Sequence, residues 1–285
     1  MDAAQTTSEP VSFPKGRPLD ARRIYPALVF IPFFYALVRY GPPIAFFALV
    51  AAASLCALAE LYRLHFRGVR APLEVGIGLT LMLIVLAGLQ WPGVLSMRTI
   101  GLTTLIAVLT SRLMTPRDIE HGLADSAVLV FGVFYIGLTL GSLLSTRLLP
   151  DGEWLIFFLF LVTWAGDTGA YYEGSTLGRH KLAPIVSPNK TIEGAIGGLL
   201  LAVLVAGLAR VWFLPSFSLT DCLAAATLLT AAGIVGDLTE SVLKRSAGVK
   251  DSGGLIPAHG GMLDRLDSLL FAAPAFYFYV TLVKG

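Results

Sequence analysis

Residues 42–59 read PPIAFFALVAAASLCALA, eighteen residues without a charge. A run of this length predicts a membrane-spanning helix, because about 20 mostly apolar residues cover the hydrocarbon core of a bilayer. Eight further apolar runs lie along the chain, at 24–38, 73–89, 99–110, 123–144, 154–168, 192–209, 219–235 and 269–283. The run at 99–110 is the weakest of them, because Arg98 and Arg112 bound it closely. The sequence therefore predicts an all-α, polytopic integral membrane protein with about nine transmembrane helices.

Composition supports a membrane protein and argues against nucleic-acid binding. Charged residues make up 14% of the 285, hydrophobic residues 55%, and the mean hydropathy is +0.75. Soluble domains carry about a quarter charged residues. The net charge of +2 comes from bases spread along the chain, so no basic patch predicts a nucleic-acid partner. Cys56 and Cys222 lie in apolar runs and are interpreted as small core residues.

The distribution of basic residues predicts the orientation. With nine spans and a cytoplasmic N-terminus, 16 of the 21 Lys and Arg fall on the cytoplasmic side. This bias follows the positive-inside rule. We expect a cytoplasmic tail at 1–23, an N-terminal transmembrane region with spans one to five at 24–150, and a C-terminal catalytic transmembrane region with spans six to nine at 151–285. The long cytoplasmic loops, at about 172–191 and 244–263, are the expected location of function.

The end of predicted span eight and the start of span nine carry polar side chains at helical spacing. A continuing helix at 236–245, GDLTESVLKR, would place four of them on one face: Asp237, Glu240, Ser241 and Lys244. Asp264, with Asp267 or Ser268, would form a second stripe on the next helix. Ionisable groups at membrane depth cost several kcal/mol unless paired or hydrated, so such stripes indicate function.

The chemistry of these stripes suits a metal–phosphate site. Mg²⁺ binds through one or two carboxylates together with substrate phosphates. Four nearby bases could neutralise phosphate oxygens: Lys244, Arg245, Lys250 and Arg265. The Gly-Gly steps at 253–254 and 260–261 allow close approach of the backbone to a phosphate. His259 could carry a proton, donate to a phosphate or support the loop. The alternative is a hairpin held only by salt bridges.

A second cluster lies on the same predicted face. Asp167 follows the apolar run of span six, and residues 187–194 read SPNKTIEG, in which Ser-Pro-Asn is a turn signal. Lys190 opens span seven, where helix N-terminal amides favour an anion. Glu193 could instead cap that helix, and Asp167 could be a paired or capping residue. The expected substrate-binding residues are Asp167, Ser187, Asn189, Lys190, Thr191, Glu193 and Ser241.

The C-terminal pattern resembles a known family. The chain reads SVLKR at 241–245, KDSG at 250–253 and HGGMLDRLD at 259–267. It is similar here to the bacterial phosphatidate cytidylyltransferase (CDP-diglyceride synthetase) family. The resemblance is strong from about residue 164 to 268, whereas earlier residues share only topology and length. Ala258 stands where the family often has Gly, and Ser175 where a basic residue is common.

The resemblance implies transfer of CMP from CTP to phosphatidate, giving CDP-diacylglycerol and pyrophosphate in phospholipid biosynthesis. It implies an all-helical homodimer in the cell inner membrane, with the active site facing the cytosol. Mg²⁺, with room for a second metal ion, would be bound by Asp237 and Asp264, with Asp267 as a third ligand. The catalytic residues it implies are Asp237, Lys244, Arg245, Lys250, Asp251, His259, Asp264 and Arg265.

Other functions remain open at this stage. A polyprenol kinase or another CTP-using lipid enzyme could use the same metal site. A transporter would place its charges near the bilayer midplane and repeat its two halves. The sequence shows neither feature. Its acids lie at the ends of spans, and its two halves do not repeat. A ligand-binding membrane scaffold without catalysis is the third alternative.

Overall fold

The computed structural model describes residues 21–66, 72–114, 120–253 and 261–284, without the side chains of 21–29 and 114. Within these ranges the chain is nearly all helical, as predicted. The helices are α1 (Ala21–Tyr40), α2 (Pro43–His65), α3 (Pro72–Gln90), α4 (Met97–Met114), α5 (Gly122–Arg147), α6 (Gly152–Thr176), α7 (Ile192–Trp212), α8 (Leu219–Ser246) and α9 (Leu263–Phe278), which continues as a π-helix over Tyr279–Lys284. Two strands, β1 (Lys181–Ala183) and β2 (Ser187–Thr191), lie between α6 and α7.

Seven of the described helices are long and apolar enough to cross a membrane: α2, α3, α5, α6, α7, α8 and α9 with its continuation. They belong to one compact unit that begins at Pro43, whereas α1 belongs to a separate unit that ends at Pro42. The apolar part of α1 is the shorter segment Phe30–Tyr40. Two arginines lie within the 18 residues of α4 and lower its hydropathy. The count of nine spans therefore stays a prediction.

The all-α prediction describes nearly all of the described chain, except that the expected cytoplasmic loop forms two short strands at residues 181–191. There β1 and β2 pair antiparallel, with Lys181 opposite Thr191 and Ala183 opposite Ser187. The turn lies at 184–186, so the predicted Ser-Pro-Asn turn falls within β2 instead. Pro188 cannot donate a backbone hydrogen bond, and a two-stranded sheet accommodates it because both of its strands are edge strands.

Three helices extend beyond the apolar runs that predicted them. α6 continues to Thr176, α8 continues to Ser246, and α9 begins at Leu263. The predicted continuation of span eight is therefore confirmed. As a consequence, the acidic residues of both predicted clusters lie on helices and have fixed directions relative to the bundle.

Glycines allow α6 and α7 to approach closely. The buried face of α7 repeats small residues at every fourth position: Gly194, Gly198, Ala202 and Ala206. A Cβ added at Gly198 would lie 2.6 Å from the carbonyl oxygen of Gly166, and one at Gly169 would lie 2.8 Å from that of Gly197. Small residues at this spacing are typical of close helix packing in membranes. This packing fixes against α7 the part of α6 that carries Asp167.

Tyr62 fixes α2 against α3 and α5. Its side chain is fully buried, and its hydroxyl donates a 2.8 Å hydrogen bond to the carbonyl oxygen of Leu129. A Cβ at Gly78 or at Gly132 would lie 2.5 Å from the Tyr62 ring or hydroxyl, so glycine is required on both sides. This contact holds the C-terminal half of α2, which carries Glu60, in one position.

The close α6–α7 packing yields a prediction on stability. Gly198→Ala should lower the unfolding temperature in detergent, because overpacking of a tight contact costs about 1–3 kcal/mol. Gly207→Ala is the matched control on the same helix, since nothing lies within 4 Å of a Cβ added there. Alanine should be neutral or stabilising at that position, because its helix propensity exceeds that of glycine by about 1 kcal/mol. Equal unfolding temperatures for the two variants would contradict this packing.

Candidate functional site

The first group of site residues surrounds Asp237 on α8. Its Oδ2 lies 2.7 Å from the Lys190 ammonium, which is on β2 directly before α7. The hydroxyl of Ser241, one turn further along α8, donates to Asp237 Oδ1 at 3.4 Å. The Asp237 side chain is 33% exposed and that of Lys190 is 22% exposed, so this ion pair can be reached from outside the bundle.

Two further acids complete this group, which we call the Asp237 group. Asp267 on α9 lies within electrostatic range of Asp237, Asp167 and Lys190. The hydroxyl of Ser268 donates to Asp167 Oδ1 at 3.2 Å, which links α9 to α6. The structure therefore brings three carboxylates from α6, α8 and α9 around one lysine, as the common face of the two predicted clusters required.

Close packing of α8 on α9 makes this arrangement possible. A Cβ at Gly236 would lie 2.4 Å from the carbonyl oxygen of Asp267. Only glycine allows the two backbones to approach this closely directly beside Asp237. Gly236 thus allows α8 to pack on α9, and the adjacent Asp237 is the predicted metal ligand.

The second group, which we call the Asp264 group, is more enclosed. The ammonium of Lys244 lies 2.6 Å from Glu240 Oε2 and 2.6 Å from Asp264 Oδ1. Asp264 Oδ2 accepts hydrogen bonds from the Ser252 backbone amide at 3.1 Å, the Ser252 hydroxyl at 2.8 Å and the Gly261 amide at 3.1 Å. Glu240 is fully buried. The Lys244 ion pairs join the end of α8 to the beginning of α9.

Glu60 on α2 belongs to the Asp264 group, and sequence reasoning missed it. Its side chain is fully buried, and its Oε2 accepts a hydrogen bond from the Leu263 amide at 2.8 Å. The Ser252 Oγ, whose proton points to the nearer Asp264 Oδ2, lies 3.3 Å from the same oxygen. A signal was present, because Glu60 is the single acidic residue of an otherwise apolar span. Its partners lie about 200 residues away along the chain, and spacing cannot reveal such contacts.

Tyr135 on α5 was also missed. Its hydroxyl is buried and has no hydrogen-bond partner among the described residues. It lies within electrostatic range of Glu240 and Asp267, so it is placed between the two groups. Together with Glu60, it shows that helices of the N-terminal half contribute directly to the surroundings of the predicted site.

Two of the predicted substrate-binding residues make internal contacts. Thr191 caps α7, and its hydroxyl accepts from the Gly194 amide at 3.1 Å. The Glu193 carboxylate accepts from the backbone amides of Arg179 and His180 at 3.0 and 3.1 Å, and lies 2.5 Å from the His180 ring. Glu193 therefore holds the segment before β1, and the cap of α7 that was its alternative role is made by Thr191 instead.

The remaining predicted residues lie outside both groups. Asn189 is exposed and Ser187 is half-buried on β2. Four predicted catalytic residues are exposed to solvent: Arg245, Lys250, Asp251 and Arg265. His259 lies outside the described residues. The exposed bases stand where an incoming anion could reach them.

The three predicted metal ligands divide between the groups, since Asp237 and Asp267 belong to one and Asp264 to the other. In the described ranges, no three or more His, Cys, Asp or Glu side chains form a ready-made metal site. The donor chemistry nevertheless fits Mg²⁺, which uses one or two carboxylates and completes its shell with substrate phosphates and water. Asp237 and Asp264 each direct one oxygen at a lysine ammonium, a position that a metal cation could take.

Comparison with known proteins places this site in a family. The model of the cytidylyltransferase family matches residues 21–283. A phosphatidate cytidylyltransferase of Staphylococcus aureus (strain COL) is 34% identical over 259 residues, which cover 90% of this chain and 96% of that protein. One from Staphylococcus haemolyticus (strain JCSC1435) is 35% identical over 248 residues, covering 87% and 92% respectively. Since both the family match and these relatives cover most of its length, the chain belongs to the cytidylyltransferase family, as the resemblance predicted.

Proposed function

We propose that this protein transfers CMP from CTP to phosphatidate, forming CDP-diacylglycerol and pyrophosphate. The observation that carries the proposal is the 34% identity with a phosphatidate cytidylyltransferase over 90% of the chain. The seven apolar helices support it, because they suit an enzyme whose substrate is a lipid. Phospholipid biosynthesis is the process that consumes a nucleotide-activated diacylglycerol.

The reaction needs positioning and charge, and no protein nucleophile. A phosphate oxygen of phosphatidate attacks the α-phosphorus of CTP, and the bond to the β-phosphate oxygen breaks, which releases pyrophosphate. Both reactants are anions, so their approach is unfavourable until positive charge lies between them. Mg²⁺ held by Asp237, with Asp267 as a further ligand, and a second metal ion held by Asp264 would supply that charge and polarise the α-phosphate.

The lysines have a role in this scheme that follows from their present partners. Lys190 is paired with Asp237, and Lys244 is paired with Asp264 and Glu240. With these carboxylates holding metal ions, the two ammonium groups would be free to donate strong charge-assisted hydrogen bonds to phosphate oxygens. The exposed Arg245, Lys250 and Arg265 would extend this basic surface toward the triphosphate or the lipid headgroup.

We propose that nine spans carry the site, with the N-terminus in the cytoplasm and the active site at the cytosolic face of the inner membrane. CTP is a cytosolic nucleotide, and the positive-inside bias places the loops beside both groups on that side. α1 and α4 would be the two additional spans. We expect a homodimer, because the family resemblance implies one.

The assay that tests the function distinguishes it from the kinase alternative. The purified protein in detergent is incubated with phosphatidate, Mg²⁺ and CTP labelled at either the α- or the γ-phosphate. We expect the α-label to enter the lipid and the γ-label to leave as pyrophosphate. Transfer of the γ-label to an added polyprenol would indicate a kinase, and absence of the α-label from the phosphatidate product would contradict the proposed transfer.

Replacement of a predicted metal ligand should abolish the transfer without unfolding the protein. Asp237→Asn should lower kcat about 100-fold or more, because it removes a carboxylate that would hold the metal ion whose positive charge stabilises the anionic transition state. Asp151→Asn is the control, since Asp151 has a left-handed backbone (φ 57°) that asparagine adopts readily. Both variants should elute as the wild type does on size exclusion. Wild-type turnover by Asp237→Asn would contradict the role of Asp237.

The orientation can be tested with single cysteines in a background with Cys56→Ala and Cys222→Ala. Ile185, in the turn between β1 and β2, is 95% exposed, and Val94, between α3 and α4, is 74% exposed. A membrane-impermeant maleimide should label Ile185→Cys from the cytosolic side and Val94→Cys from the opposite side. Labelling of both from one side would contradict the nine-span orientation.

A further inference from the structure

Glu60 supplies a capping interaction at the start of α9 that the helix's own N-cap residue does not make. The N-cap residue Met262 has no side-chain capping hydrogen bond. The first amide of the helix, that of Leu263, instead donates to Glu60 Oε2 at 2.8 Å. A carboxylate is favourable at a helix N-terminus, because free amides and the helix dipole present positive charge there. Glu60 thus caps α9 from another helix.

The backbone on both sides of this carboxylate is glycine for a steric reason. A Cβ at Gly253 would lie 2.9 Å from Glu60 Oε1, and one at Gly261 would lie 2.6 Å from Glu60 Oε2. An added side chain at either position would therefore displace the carboxylate, because both segments pack directly on it. Gly253 and Gly261, which the sequence suggested for phosphate approach, thus leave room here for Glu60.

Glu60 is also linked to Asp264 through the hydroxyl group of Ser252. Ser252 Oγ lies 3.3 Å from Glu60 Oε2 and 2.8 Å from Asp264 Oδ2. Asp264 directly follows Leu263, whose amide Glu60 holds. A shift of Glu60 would therefore move Asp264 through the helix start and through Ser252 together.

We propose that Glu60 is a positioning residue for the transfer reaction: by capping α9 and contacting Ser252, it sets the direction of Asp264. The inference rests on the proposed role of Asp264 in the reaction. It gives α2, in the predicted N-terminal region, a part in catalysis without contact to either substrate. Only one oxygen of Glu60 carries this role, since Oε1 has no hydrogen-bond partner among the described residues.

Because only Oε2 is hydrogen-bonded, substitutions at Glu60 can separate the effect of side-chain length from the effect of charge. Glu60→Gln can place its carbonyl oxygen where Oε2 lies and its amide nitrogen where Oε1 lies, so kcat should stay within about fivefold of the wild type. Glu60→Asp keeps the charge but is one methylene shorter and cannot reach Leu263. Its kcat should fall about 10- to 100-fold, because misplacement of a catalytic group by about 1 Å has effects of that size. A greater loss in Gln than in Asp would overturn the proposal.

Two readouts separate positioning from a mere loss of folded enzyme. Amide hydrogen exchange of a peptide covering 261–268 should accelerate in Glu60→Asp and remain near wild type in Glu60→Gln. The Mg²⁺ concentration for half-maximal rate, which does not depend on the amount of active enzyme, should rise in Glu60→Asp. Wild-type exchange and an unchanged Mg²⁺ midpoint in that variant would overturn the proposal.

Matched controls keep this test independent of the proposed function. Glu74→Gln removes another buried acid, which lies on α3 and pairs with Arg112 at 3.8 Å, and all three measurements should be unchanged. Asp264→Asn is measured in parallel. Full activity of Asp264→Asn would remove the proposed role of Asp264 and the inference with it. An impaired Asp264→Asn beside a fully active Glu60→Asp would overturn the inference alone.

Discussion

The Lys244 ammonium, 2.6 Å from both Glu240 and Asp264, is the contact on which the C-terminal half of the structure depends. It joins the end of α8 to the start of α9. Removing one partner of such a buried pair is costly, because the remaining charge stays desolvated. Replacing the whole pair by apolar residues is often neutral, so stability alone does not explain why these charges are present. Under the proposed function, these charges are explained by their position beside the predicted phosphate-binding residues.

The Asp237 group and the Asp264 group balance their acids in the same way. Asp237 and Asp264, the residues expected to bind metal, each have a lysine as their present counter-ion. Charged groups at membrane depth need such partners. A lysine that balances an acid in the free enzyme can bind a phosphate once another cation balances that acid. Under the proposed function, the ion pairs would hold the phosphate-binding lysines in place before substrate arrives.

The sequence predicted much of this arrangement because helices convert spacing into direction. Asp237, Glu240, Ser241 and Lys244 were expected on one face, and α8 carries them there. The length and number of the apolar runs predicted a nearly all-helical membrane protein. Orientation follows from charge counting alone, and only seven of the nine apolar runs form helices long and apolar enough to span among the described residues, so both remain predictions.

Contacts between distant segments could not be predicted in this way. Glu60 binds Leu263, 203 residues further along the chain, and no periodicity links them. The hairpin at 181–191 escaped prediction because its short strands have no alternating apolar pattern. Glu193 had an acceptable reading as a substrate ligand until its contacts with the 179–180 backbone were visible. In each case the local sequence is compatible with more than one arrangement, and contacts between distant residues determine which one forms.

Anomalous X-ray scattering from crystals grown with Mn²⁺ and CTP tests the central claim most directly, because Mn²⁺ replaces Mg²⁺ at oxygen sites and its position can be measured. The account predicts an anomalous peak within metal–ligand bonding distance of a carboxylate oxygen of Asp237 or Asp264. It also predicts that the lysine paired with that acid has moved to a phosphate oxygen. A metal bound at neither carboxylate, with Lys190 and Lys244 still in their present ion pairs, would contradict the account.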